Sequence, residues 1–222
     1  MKYKGVSIMA ENVIEVVDVT KQFGAQTVLA RTNLRVEKGK IVGIIGRNGS
    51  GKTVLFKCIV GLMPASGGTI RVLGHTIRNG TVLQSRVGII IEAPGFLPNY
   101  SGYRNLAMLA SINGKASKER IRDTIRLVGL DPENRKHVGK YSLGMRQRLG
   151  IAQAIMEDPD ILILDEPMNG LDNSGVNDMR ELFLSLKKQG KTILLACHNR
   201  EDIDILCDEV YLIDRGVLTK ER

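Results

Sequence analysis

The chain has 222 residues, 43% of them apolar and 25% charged, a balance that permits one large α/β domain with a sizeable core and needs no disorder. Its longer apolar runs, such as residues 87–91 and 161–164, fall far short of the roughly 20 residues a membrane-spanning helix requires, and the opening MKYKGVSIMA has no apolar stretch of export-signal length. A cytosolic chain that does not cross a membrane alone is expected. The net charge of +8 raises nucleic acid or an anionic surface as partners, but Lys and Arg are dispersed and no nucleic-acid motif or aromatic stacking platform is present, so no nucleic acid is expected. Cys58, Cys197 and Cys207 are odd in number and lack metal-ligand spacing, which predicts reduced thiols.

In chain order, residues 13–19 suit a strand, KQFGAQ (21–26) a turn, and 27–36 a second extended run. Gly39 turns the chain into the apolar run 41–45, a buried strand, followed by GRNGSGKT (46–53) and a helix over 54–62. PASGG (64–68) is a break, with short strands at 69–73 and 87–91. The middle third turns helical: 103–112, then 117–128 with Ile121, Ile125 and Val128 on one face behind a Ser117 cap, then 143–156. Alternation resumes with a strand at 161–164, a helix carrying Met179, Leu182, Phe183 and Leu186, a strand at 192–196, a short helix after Asn199, and a strand at 210–213. Strands alternating with helices argue for a largely parallel sheet with a helical insertion, and the absence of a repeat for one nucleotide domain.

GRNGSGKT matches the phosphate-binding pattern GxxxxGK[ST]. Gly46, Gly49 and Gly51 allow close approaches and unusual backbone angles, so that the loop, with Arg47, Asn48 and Ser50, can turn its N–H groups on phosphate oxygens. Lys52 adds positive charge near the outer phosphates, Thr53 offers a hydroxyl to Mg²⁺, and the following helix presents its positive end. A nucleoside triphosphate with magnesium is the expected ligand. In ILILDEP (161–167) four apolar residues deliver Asp165 and Glu166 to the C-terminal end of a buried strand, where open α/β sheets bind ligands. Asp165 suits a Mg²⁺ contact and Glu166 a general base for the attacking water. Alone, that acidic pair reads equally well as a polar corner; the phosphate loop decides for the functional reading.

With these motifs the chain resembles the ATP-binding-cassette (ABC) ATPase family over nearly its whole length, residues 11–222. YSLGMRQRLGIA (141–152) is similar to the LSGGQ signature, with Leu143 for the first glycine and Met145-Arg146 where glutamine is usual. The resemblance implies an α/β P-loop NTPase fold: a RecA-like core with a largely parallel sheet, an N-terminal antiparallel β subdomain, and a helical subdomain inserted over 96–158. It implies ATP and Mg²⁺ as cofactors and a homodimer in which Ser142 and Gly144 of one chain meet the γ-phosphate held by the other. Asp172 of NGLD matches the D-loop that couples the two sites, and His198 the switch histidine that senses γ-phosphate. Phe23 stands where an aromatic stacks on adenine, with Val28 near the ring. Glu92 departs from the family, standing where the Q-loop glutamine approaches Mg²⁺ and water; the expectation is a working substitute that contributes to metal binding and catalysis. IIIEAPGFLPNYSGYRNL together with YSLGMRQRLGIA resembles in particular the bacterial cassettes of bacitracin-type resistance and lantibiotic immunity. The implied function is an ATPase at the cytoplasmic face of the membrane, driving export of antimicrobial peptides or drugs through separate integral-membrane permease subunits that dock near 93–104. The alternatives are a soluble ABC ATPase acting on ribosomes or DNA and, outside the family, a nucleotide kinase.

Overall fold

In the computed structural model, which describes residues 11–78 and 86–222, two sheets share one molecule. The opening MKYKGVSIMA, on which the export reading rests, lies outside the described residues. The strands β1 (Asn12–Phe23) and β2 (Gln26–Glu37) form a long antiparallel hairpin, extended by β4 (Gly67–Val72) and β5 (His75–Thr76) in the order β2-β1-β4-β5. β-branched residues drive this: Val13, Ile14, Val16 and Val19 of β1 are buried, their alternation shifted by irregularities in the pairing with β2. Part of the stretch read as a turn stays in the ladder, because Lys21, Gln22 and Phe23 pair with Leu29, Thr27 and Gln26.

The second sheet has the order β10-β9-β3-β8-β7-β6, built from β3 (Ile41–Ile45), β6 (Val87–Ile90), β7 (Ile161–Asp165), β8 (Thr192–Ala196) and β9 (Glu209–Asp214) in parallel, with β10 (Val217–Lys220) antiparallel on β9. All residues of β7 and β8 are buried, which a strand tolerates only when both sheet faces are covered. Leu162, Leu164, Ile193 and Leu195 pack into a core shared with α2 (Gly102–Asn113), α3 (Lys118–Leu127), α4 (Leu143–Ile155) and α5 (Asn173–Lys188). Ile161, Ile163, Leu194 and Ala196 point the other way, into a core shared with α1 (Lys52–Ile59) and the antiparallel sheet.

The helices α2, α3 and α4 fall between β6 and β7. Their N-termini are closed by Ser101, Ser117 and Ser142, whose hydroxyls accept from Arg104, Arg120 and Met145 N–H; Asp172 and Asn199 do the same for α5 and α6 (Arg200–Leu206). Arg148 of α4 donates to Val128 O at the end of α3 (2.7 Å) and pairs with Asp178 of α5 (2.9 Å), tying the three-helix segment to the core. Because β3 and β7 flank β8 in parallel, the loop after β3 and the carboxylates ending β7 emerge at one sheet edge.

Candidate active site

The loop after β3 ends on Gly51, the N-cap of α1, which provides no side-chain cap. The first-turn N–H groups of α1 are therefore left for an outside acceptor, and the positive helix end favours an anion. Two glycines are dictated by the geometry. Gly49 has φ 78°, and a Cβ on Gly46 would lie 2.5 Å from Ile213 O and 2.7 Å from Ser50 Oγ. Lys52 is buried, its Nζ donating to Gly46 O (2.7 Å) and Arg47 O (3.2 Å), so the loop curls around the ammonium. Ser50 Oγ is the one buried side-chain polar atom without a partner among the described residues. Such a group is costly unless something bonds it, and a phosphate oxygen would.

A cavity of about 610 Å³ opens over the loop. Its wall includes Val28, Asn48, Gly49, Ser50, Gly51, Lys52 and Thr53, and across from them Glu92, Asp165 and Glu166. Thr53 Oγ1 donates to Asp165 Oδ2 at 2.6 Å, joining the loop to the end of β7 across the intervening β8. Glu166 Oε2 lies 2.8 Å from His198 Nδ1, and the Glu166 N–H donates to Ala196 O, so the ends of β7 and β8 hold this pair together. Glu92 and Glu166 both have left-handed backbones, φ 62° and 50°, rare for non-glycine residues and concentrated at functional sites.

Behind His198 lies a buried polar cluster. Asp202 of α6 accepts from Arg180 Nε (2.8 Å) and Nη2 (2.5 Å), and its other oxygen accepts from the Cys197 thiol (3.6 Å). Asn199 N–H donates to the Cys197 sulfur (3.4 Å). Burial pushes the Cys197 thiol up to about 12, so it is a neutral strut of the loop carrying His198.

Of the residues singled out in the sequence, Asn48 to Thr53 of the loop, Val28, Glu92, Asp165 and Glu166 gather on one cavity, with His198 attached through Glu166. Arg47 and His198 line a neighbouring cavity, one that Gly46 also borders. Phe23 is half-exposed and off the first cavity's wall, its ring under Lys21 Nζ at 4.9 Å. Glu92 bonds Lys57 of α1 at 2.5 Å rather than Thr53 or Asp165. Ser142, Gly144 and Asp172 also lie off that wall, the Ser142 hydroxyl and the Asp172 carboxylate being engaged at their own helix ends. Sequence reasoning passed over Gln147, a buried cavity residue donating to Glu166 O (3.2 Å), and Lys57. A faint signal existed for the first: Gln147 lies in the signature-like stretch 141–152, one turn beyond Leu143 on the same helix face.

A family model described as ABC transporter matches residues 29–169. This chain belongs to the ABC transporter family. It is an ATP-binding, ATP-hydrolysing subunit of an ABC transporter, and none of these relatives supports the ribosome, DNA or nucleotide-kinase readings. The ABC subunit is 44% identical over 216 residues to the bacitracin transport ATP-binding protein BcrA of Enterococcus faecalis, covering 96% of this chain and 70% of that protein. It is 34% identical to the lantibiotic transport ATP-binding protein SrtF of Streptococcus pyogenes, covering 94% and 90%. Among solved structures, an ATP-binding subunit of an ABC transporter superposes with TM-score 0.85 at 28% identity, covering 94% of this chain and 89% of that one. The dimeric cassette MJ0796 superposes with TM-score 0.86 at 20% identity, covering 94% and 99%, which supports the fold alone. Among the described residues no helix of this subunit is long and apolar enough to cross a membrane.

Proposed function

We propose that this ABC subunit, one cassette over residues 11–222 with its helical insert at 96–158, works as a homodimer at the cytoplasmic face of a membrane and drives export of peptide antibiotics through separate permease subunits. The substrate class follows the names of the bacitracin and lantibiotic transport relatives. In each chain the loop residues Gly46 to Thr53 hold the triphosphate, with Lys52 and the α1 N-terminus against the outer phosphates, and Phe23 and Val28 attend the base. The Thr53 hydroxyl and Asp165 carboxylate, 2.6 Å apart, are hard oxygen donors that fit Mg²⁺, and Glu92 stands on the same cavity as a third. When bound, the metal screens the phosphate charge. Glu166 takes the proton of the attacking water, and His198, hydrogen-bonded to Glu166, orients that carboxylate and contacts the γ-phosphate.

The observation that supports the dimer is that Ser142 and Gly144 do not line the cavity of their own chain. Its wall holds Asn48 to Thr53, the carboxylates and, from the start of α4, Leu143, whereas Ser142 and Gly144 on either side of Leu143 lie off it. They complete the site on a second copy, with Asp172 linking the two sites. The segment 93–104, leading from Glu92 into α2, is where permease subunits dock. Tagged subunit recovered from detergent-solubilised membranes of its own host should bring integral-membrane partners with it. Recovery wholly from the soluble fraction, with no membrane partner, would reject the transporter assembly proposed.

A further inference from the structure

Three carboxylates, Glu92, Asp165 and Glu166, stand on the cavity wall. Asp165 is engaged by Thr53 and Glu166 by His198, both already part of the site. Glu92 is engaged by a residue with no role so far: Lys57 Nζ lies 2.5 Å from its Oε1. Lys57 follows Thr53 by one turn of α1, so both project on one face of the helix that begins at the phosphate loop. Glu92 stands two residues beyond the end of β6, at φ 62°, and opens the segment that runs into α2. The side chain of Glu92 is 63% exposed and that of Lys57 25%, and so open an ion pair adds little to folding stability. Its consequence is for where the carboxylate and its charge sit.

We infer that Lys57 is a positioning residue that holds Glu92 back from the Thr53–Asp165 pair and neutralises it while the triphosphate enters. The inference rests on the ATP and magnesium reading above. A triphosphate is strongly anionic, and a carboxylate without a counter-ion on the wall opposes its entry. With Lys57 engaged, Glu92 presents no net charge. With metal-bearing nucleotide seated, the metal would offer Glu92 a second cation, and a Glu92 released from Lys57 would free the 93–104 segment from its tie to α1. A glutamine in place of Glu92 carries no charge to neutralise, so this role of Lys57 exists only while residue 92 is a carboxylate.

The test measures binding of a fluorescent ATP analogue in EDTA, then its magnesium dependence, for Lys57→Met, Lys57→Arg, Glu92→Gln and the double variant Lys57→Met/Glu92→Gln. Lys57→Met is expected to weaken metal-free binding about three- to tenfold and to lower the magnesium concentration at half-saturation, with the melting temperature unchanged. Lys57→Arg should restore both values, and the double variant should match Glu92→Gln alone. Lys57→Gln serves if the methionine variant does not fold. Wild-type values in Lys57→Met, or an equal change when residue 92 is already glutamine, would overturn the inference and leave the ATP site intact. Loss of all magnesium dependence in the wild-type chain would instead remove the reading beneath it.

Discussion

Replacing Asp202 by alanine leaves Arg180 without its closest counter-ion. Both side chains are almost wholly buried, 4% exposed for Asp202 and 11% for Arg180, and the carboxylate accepts two hydrogen bonds from the guanidinium. Removing one partner of a buried pair costs about 3–5 kcal/mol, because the survivor keeps its desolvation penalty and loses the attraction that offset it. Here Glu201 remains near Arg180 at 3.2 Å but is largely exposed, and Asn177 accepts at 3.2 Å, so a value of about 3 kcal/mol is expected. In urea, with a slope of about 2–3 kcal/mol per M, the midpoint should fall by about 1–1.5 M with the slope unchanged. The double variant Arg180→Met/Asp202→Leu, which removes both charges, should recover most of that loss. ATP hydrolysis by Asp202→Ala should also fall under conditions where the variant remains folded, because the Cys197 thiol loses one of the acceptors that steady the loop carrying His198. A loss under about 1 kcal/mol, or a double variant no better than the single one, would refute this account of the cluster.

Glu209 offers a pH test. Burial pushes its carboxyl up, but hydrogen bonds from Lys220 and Lys40 outweigh that and hold it below its ordinary 4.5. A depressed carboxyl contributes stability above its unfolded value and loses it as pH falls through the folded one. Glu209→Gln should therefore cost about 1.5 kcal/mol at pH 7, shrinking as pH falls below 4.5 in matched urea melts; a pH-independent difference would contradict the ion-pair account. The thiols give a second test. Cys197 and Cys207 are buried and raised to about 12, and burial raises Cys58 too, so a disulfide-exchange reagent at pH 8 should label none in the native chain within minutes. Three should react in urea; rapid native labelling at Cys197 would show the loop before His198 to be open.

What the sequence made legible follows from where each signal is stored. The strand at 41–45 and the helices behind Ser117 and Ser142 carry contiguous apolar runs or a hydroxyl cap, and those readings match the structure. The helix after the loop begins at Lys52 rather than residue 54, because Gly51 caps it without a side chain and leaves no polar residue to mark its start. Strands β5 and β10 escaped notice: one has two residues, and no residue of either is fully buried, so alternation had nothing to report. At the site, Asp165, Glu166 and the loop are marked by their own neighbours in sequence. Partnerships between distant residues are not. Lys57 meets Glu92 from 35 positions away, and Arg180 meets Asp202 from 22. The place of Phe23, off the cavity wall, depends on hairpin register, which a lone aromatic cannot reveal.

The central claim is that each chain holds half of an ATP site. Light scattering of Glu166→Gln with ATP and magnesium tests it most directly. That variant keeps the loop, Thr53 and Asp165 but lacks the carboxylate proposed to activate water. The account predicts that ATP converts it from monomer to dimer while hydrolysis nearly stops, and that adding Ser142→Ala weakens the dimer. A Glu166→Gln chain that stays monomeric with saturating ATP and hydrolyses it at the wild-type rate would contradict it.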